Sequence, residues 1–151
     1  MDLESEKNKN MSHRDFYQPV YTPSVAAKIL GLSPHTLRRY EAEGLILPYR
    51  TETGRRLYSD LDLEKIKSIS DMIQRDGHNF EGIRRLIALA PCWKVRGCSI
   101  EQKDLCVNNY KRKRPCWATP EKCAHEIDDC RECPVYRKLI TIDDIEEFIN
   151  S

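Results

Sequence analysis

All seven cysteines of this 151-residue chain, Cys92, Cys98, Cys106, Cys116, Cys123, Cys130 and Cys133, fall in one stretch near its C-terminal end. Thiolates are soft ligands suited to zinc and to iron–sulfur clusters, and a Cys130-x-x-Cys133 pair can grip one metal because both sulfurs sit on one tight turn. Cys116 and Cys123 extend that pair to four thiols, and Cys92, Cys98 and Cys106 add three more. The odd, widely spaced count and the softness of the ligands favour an iron–sulfur cluster first, a structural zinc second and plain thiols third. His125, between Cys123 and Cys130, keeps a three-cysteine, one-histidine zinc site open. A second group of side chains lies upstream. His35, Thr36, Arg38, Arg39 and Tyr40 are followed by Arg55, Arg56 and Tyr58, which together offer donors for base edges and guanidinium forks for phosphate.

The elements that must position these groups follow from caps, breakers and periodicity. Val25, Ala26, Ile29 and Leu30 make one helical face, with Ser24 as the expected N-cap and Gly31 as the stop. Ser33 then caps a second helix that carries Pro34 in its first turn, turns Leu37 and Tyr40 inward and ends at Gly44. Two short helices joined by Gly31-Leu32-Ser33 make a helix-turn-helix, whose second helix would present His35, Thr36 and Arg39 to base edges and Arg38 and Tyr40 to phosphate. Leu45-Ile46-Leu47, the run from Pro48 to Thr53, Gly54 and Arg55-Arg56-Leu57-Tyr58 outline a basic hairpin, or wing. Ser59 caps a longer helix with Leu61, Leu63, Ile66, Ile69, Met72 and Ile73 on its face, and after Asn79 a further helix carries Phe80, Ile83, Leu86 and Ile87 until Pro91.

Charge and composition bound what such a chain does. The 25 basic and 24 acidic residues nearly cancel, yet residues 84–115 hold nine basic against two acidic side chains and residues 116–151 hold four against nine. No apolar run is long enough to cross a membrane and the first residues lack a signal-peptide core, so a cytoplasmic protein is expected. In that reducing compartment seven cysteines point to metal or redox chemistry rather than to a disulfide framework. No glycine-rich phosphate loop, nucleophile elbow or paired-carboxylate pocket is present, so no enzyme is expected. A thiol oxidoreductase built on Cys130-Arg131-Glu132-Cys133 is the enzymatic alternative, although the βαβ context of such a motif is missing.

The runs Tyr21-Thr22-Pro23-Ser24-Val25-Ala26, Leu32-Ser33-Pro34-His35-Thr36-Leu37-Arg38-Arg39-Tyr40-Glu41, Gly44-Leu45-Ile46 and Gly54-Arg55-Arg56-Leu57-Tyr58-Ser59 resemble the DNA-binding domain of MerR-family transcriptional regulators, closest to the heat-shock-repressor-like branch. The resemblance spans about residues 21–90. It implies a winged helix-turn-helix with two further helices that binds a pseudo-palindromic promoter element as a dimer and distorts it. By matching position it implies DNA contacts from His35, Thr36, Arg38, Tyr40, Arg56 and Tyr58. The chain departs from the family where a long dimer-pairing helix usually follows, because Pro91, the cysteine segment and Pro115 stand there.

The expected fold is therefore mainly α: a disordered leader over residues 1–16, a winged helix-turn-helix with a small β wing over 17–90, an irregular cysteine-rich segment over 91–136 and a short C-terminal helix over 137–151. In that last helix the stripe Ile142, Ile145, Phe148 and Ile149 is expected to bury itself between two chains. The expected partners are double-stranded promoter DNA, a second copy of the chain and RNA polymerase, and no membrane. An adaptor with a structural zinc site, lacking DNA affinity, is the alternative from another class.

Overall fold

A computed structural model describes residues 16–89, 95–96, 115–118, 129–138 and 142–150. The leader, apart from Phe16, lies outside them, as do Pro91, Cys92, Trp93, Lys94, Cys98, Cys106, residues 111–114, Cys123 and His125.

Helix α1 spans Pro23–Leu30 and is capped by Thr22, whose side chain accepts the Val25 N–H. This corrects the expected Ser24 cap. Pro23 occupies the first helical turn, where its missing N–H costs nothing, so the cap moves to the residue before it. Gly31 ends α1 in the left-handed conformation at φ 67°. Helix α2, Pro34–Ala42, starts at Ser33 as expected, with the Ser33 side chain accepting the Thr36 N–H. The wing is shorter than its sequence outline: β1 (Tyr49–Arg50) pairs antiparallel with β2 (Arg56–Leu57), Tyr49 opposite Leu57 and Arg50 opposite Arg56. Leu45 and Ile46 are not strand residues but core ones. Tyr21 forms an isolated antiparallel bridge with Tyr58, tying the entry of the chain to the exit of the wing.

Helix α3, Asp60–Gln74, opens on a capping box in which Ser59 and Asp62 satisfy each other's backbone N–H groups. Helix α4, Phe80–Ala88, is capped by Asn79. Ala26, Ala27, Leu37, Tyr40, Leu45, Ile46, Tyr58, Ile66, Ile69, Met72 and Ile83 form one buried core shared by all four helices and the wing.

Two short 3-10 turns, at Cys116–Ala118 and Cys130–Glu132, precede helices α5 (Pro134–Lys138) and α6 (Ile142–Asn150). The Cys130-x-x-Cys133 stretch is the tight turn expected of it, closed by the Cys133 N–H on the Cys130 carbonyl at 3.1 Å. A second core gathers Cys133, Val135 and Ile145, with Ile87, Val95, Cys116 and Trp117 packed against it. Ile145 is only 5% exposed within the single chain, which corrects its assignment to an inter-chain stripe. The apolar flank of α4 and the cysteine turn already cover it. The side chains of Ile142, Phe148 and Ile149 lie outside the described residues.

Candidate nucleic-acid interface

On α2 the residues that could read base edges divide by helical face. His35, Arg38 and Arg39 are exposed, and Thr36 is half-buried with its hydroxyl 2.9 Å from the Ser33 Oγ. The Arg39 guanidinium lies over the Phe80 ring, 4.8 Å from its centroid, so α4 braces it. Tyr40 faces the opposite way. It is 4% exposed, and its ring meets Phe80 edge to face at 5.9 Å. Tyr40 is thus a core residue and not a phosphate ligand, as its three-residue spacing from Leu37 requires of an inward position.

The wing divides in the same way. Arg55 is exposed at the hairpin tip, its N–H held by Thr51 Oγ1 at 3.1 Å. Arg56 is half-buried and its Nε donates to Glu41 Oε2 at 2.5 Å. Arg50, directly across the hairpin, donates to the other oxygen of Glu41 at 2.7 Å. One carboxylate on α2 therefore holds two wing arginines against that helix. Arg50 is a member of the basic surface that the sequence reading missed, and its place opposite Arg56 in the hairpin register is the signal that finds it. Tyr58 is completely buried, so the expectation that it touches DNA is also corrected. Burial pushes its hydroxyl pKa up to about 12, and among the described residues that hydroxyl has no hydrogen-bond partner.

Residues 21–89 match a family model described as MerR HTH family regulatory protein. An uncharacterized HTH-type transcriptional regulator of Haemophilus influenzae is 31% identical over 97 residues, which cover 64% of this chain and 69% of that protein. The chain belongs to the MerR family. A putative heat shock protein HspR of Streptomyces coelicolor is 45% identical over 71 residues, 47% of each protein, which fits the heat-shock-repressor-like branch. The HTH-type transcriptional regulator GlnR of Bacillus anthracis is 31% identical over 71 residues, 47% of this chain and 54% of that one. The MerR-family chain thus spans about half the length of these two relatives. A crystal structure of HiNmlR, a MerR-family regulator lacking the sensor domain and bound to promoter DNA, is 36% identical, with a TM-score of 0.39 and coverage of 43% of this chain and 52% of that one. These names describe regulators rather than enzymes, in line with the absence of catalytic motifs.

In this MerR-family chain the cysteine segment rests on the DNA-binding domain through polar groups. Asp62, fully buried at the start of α3, accepts from the Ser59 N–H at 2.9 Å, from Arg131 Nη2 at 2.7 Å and from the Tyr136 hydroxyl at 2.8 Å. Lys65, one turn further along, is buried with its Nζ 4.1 Å from the Tyr136 ring centroid and 5.1 Å from that of Trp117. Burial drives the Lys65 pKa down to about 7, against a smaller opposing pull from Asp62. Of the candidate ligands, Cys116 packs against the cluster that contains Cys133, and Arg96 Nη1 lies 3.3 Å from the Cys133 Sγ. Among the described residues, no three Cys, His, Asp or Glu side chains come together as a metal site. No helix among them is long and apolar enough to cross a membrane.

Proposed function

We propose that this chain is a sequence-specific DNA-binding transcriptional regulator that works in the cytoplasm as a homodimer on promoter DNA, where RNA polymerase is its further partner. The observation that carries the reading is the double ion pair of Glu41, which holds Arg50 and Arg56 of the wing against α2, the helix on which His35, Arg38 and Arg39 are exposed. A recognition helix flanked by a basic wing is the arrangement that reads base edges from the helix while the wing holds phosphate. In this reading His35, Thr36 and Arg39 face base edges, and Arg38, Arg55 and Arg56 face the backbone. Tyr40 and Tyr58 support these residues from inside.

The finer proposal is that the cysteine segment carries a metal centre whose state modulates binding. It is supported by the donor chemistry of seven thiols in one stretch and by the contact of that stretch with the DNA-binding domain. Anaerobic purification with a visible spectrum and metal analysis tests it. Brown absorbance with iron and sulfide identifies a cluster, stoichiometric colourless zinc identifies the structural alternative, and seven titratable thiols without metal defeat both.

For DNA binding, the test is retardation of a fragment upstream of the chain's own coding sequence at two salt concentrations. Affinity should fall steeply with salt. Arg38→Ala should weaken binding to all sequences, and His35→Ala should alter base preference. Salt-insensitive or absent binding would instead favour the adaptor.

A further inference from the structure

Among the described residues, three side chains of the cysteine segment hydrogen-bond to the connection after α2, and each lies close in sequence to a cysteine. Trp117 follows Cys116, Arg131 follows Cys130, and Tyr136 comes three residues after Cys133. All three grip the same short piece of backbone, the connection between α2 and β1. Trp117 Nε1 donates to the Gly44 carbonyl at 3.0 Å. The Leu47 N–H donates to the Tyr136 hydroxyl oxygen at 3.0 Å, and the Leu47 carbonyl accepts from Arg131 Nη1. The same hydroxyl and the same guanidinium continue to Asp62 at the head of α3. Both polar groups of Leu47 are thus satisfied by the cysteine segment and not by the wing itself.

That matters because the wing has little to hold it in place. Its strands are two residues each, and an isolated two-stranded hairpin is marginal in water. Its orientation against α2 rests on the Glu41 ion pairs, on the Tyr21 bridge and on the connection at residues 44–47.

We propose that Trp117, Arg131 and Tyr136 are positioning residues for DNA recognition: they anchor the cysteine segment to the α2–β1 connection and so set the wing arginines against the recognition helix. A change of geometry at Cys116, Cys130 or Cys133 then reaches a side chain that grips the α2–β1 connection through at most three residues of chain. The proposal rests on the DNA-binding reading above and adds to it the route by which the cysteine segment acts.

The experiment uses the full chain and Tyr136→Phe, which removes the hydroxyl but keeps the ring against Trp117, 5.0 Å away edge to face. Amide exchange at Leu47 and in the hairpin should accelerate about tenfold, while the amides of Ala26, Ala27 and Leu37 keep their protection. Affinity for the upstream fragment should fall about tenfold, and the salt slope should become shallower by about one as a wing phosphate contact is lost. Trp117→Phe, which removes the indole N–H together with one of the two fused rings but leaves an aromatic ring at the site, should show the same pattern at about threefold, and it decides the matter if Tyr136→Phe does not fold. Exchange and affinity equal to the wild type would overturn the proposal. So would a lowered melting temperature with unchanged affinity and slope at a temperature where the variant is folded, since the contact would then be structural only. A wild-type chain without salt-sensitive affinity would overturn the DNA-binding reading itself, and the wild-type measurement alone would reveal it.

Discussion

Asp62 and Arg131 sit 69 positions apart, with side chains 0% and 10% exposed, and their pairing at 2.7 Å can be measured by a double-mutant cycle. Asp62→Ala removes the capping-box carboxylate, worth about 1 kcal/mol. It also takes an acceptor from the buried Ser59 N–H and leaves the Arg131 charge without its partner, and breaking a buried pair from one side costs about 3–5 kcal/mol. A total loss of about 4–6 kcal/mol is expected, against roughly 8–15 kcal/mol for a chain of this size. Arg131→Met leaves Asp62 with the Ser59 and Tyr136 donors, and about 2–3 kcal/mol is expected. In the double variant no charge is stranded, so its loss should fall short of the sum of the singles by about 2–3 kcal/mol. Urea unfolding of the four chains followed by circular dichroism gives each value. Additivity within about 0.5 kcal/mol would refute the reasoning, because it would show two groups that do not sense each other.

Tyr58→Phe should be neutral or stabilising by about 1 kcal/mol in thermal unfolding and should leave DNA affinity unchanged, since it removes a buried hydroxyl without a partner. Lys65 should make stability rise with pH. Its folded pKa of about 7 lies below the ordinary 10.5, so between those values the unfolded chain holds a proton that the folded chain has lost, and each pH unit adds up to about 1.4 kcal/mol. Denaturant titrations at pH 7 and 9 should show that rise in the wild type and a smaller one in Lys65→Met. Gly44→Ala should cost about 2–3 kcal/mol in the same assay, because Gly44 has φ +76° and an added Cβ would stand 2.8 Å from the Ala118 Cβ.

Legibility followed locality. Ser33 and Ser59 cap their helices as the sequence indicates, because a cap is decided by a side chain and the backbone two or three residues on. The periodicity that turns Leu37 and Tyr40 inward was a better guide to Tyr40 than motif position, which made it a DNA contact. Tyr58 is the same lesson just past β2, where it bridges to Tyr21 with its ring in the core. Glu41 had no signal of its own, since its two arginine partners become neighbours only when the hairpin closes. The contacts of Asp62 with Arg131 and Tyr136 span 69 and 74 residues, beyond any window in which spacing is informative. Asp62 could be read as half of a capping box, but nothing nearby in sequence names what else it would hold.

Glu41 also has a consequence for stringency. A phosphate that approaches Arg50 or Arg56 meets guanidinium groups already occupied by a carboxylate of the protein. Binding there is an exchange of one anion for another, so each such contact adds less affinity than an unpaired arginine would. This resident competitor penalises every DNA sequence alike, and only a site whose base edges also satisfy α2 recovers the difference. In the proposed complex Glu41 thus sets a threshold of affinity, below which a sequence that does not also satisfy α2 is not held.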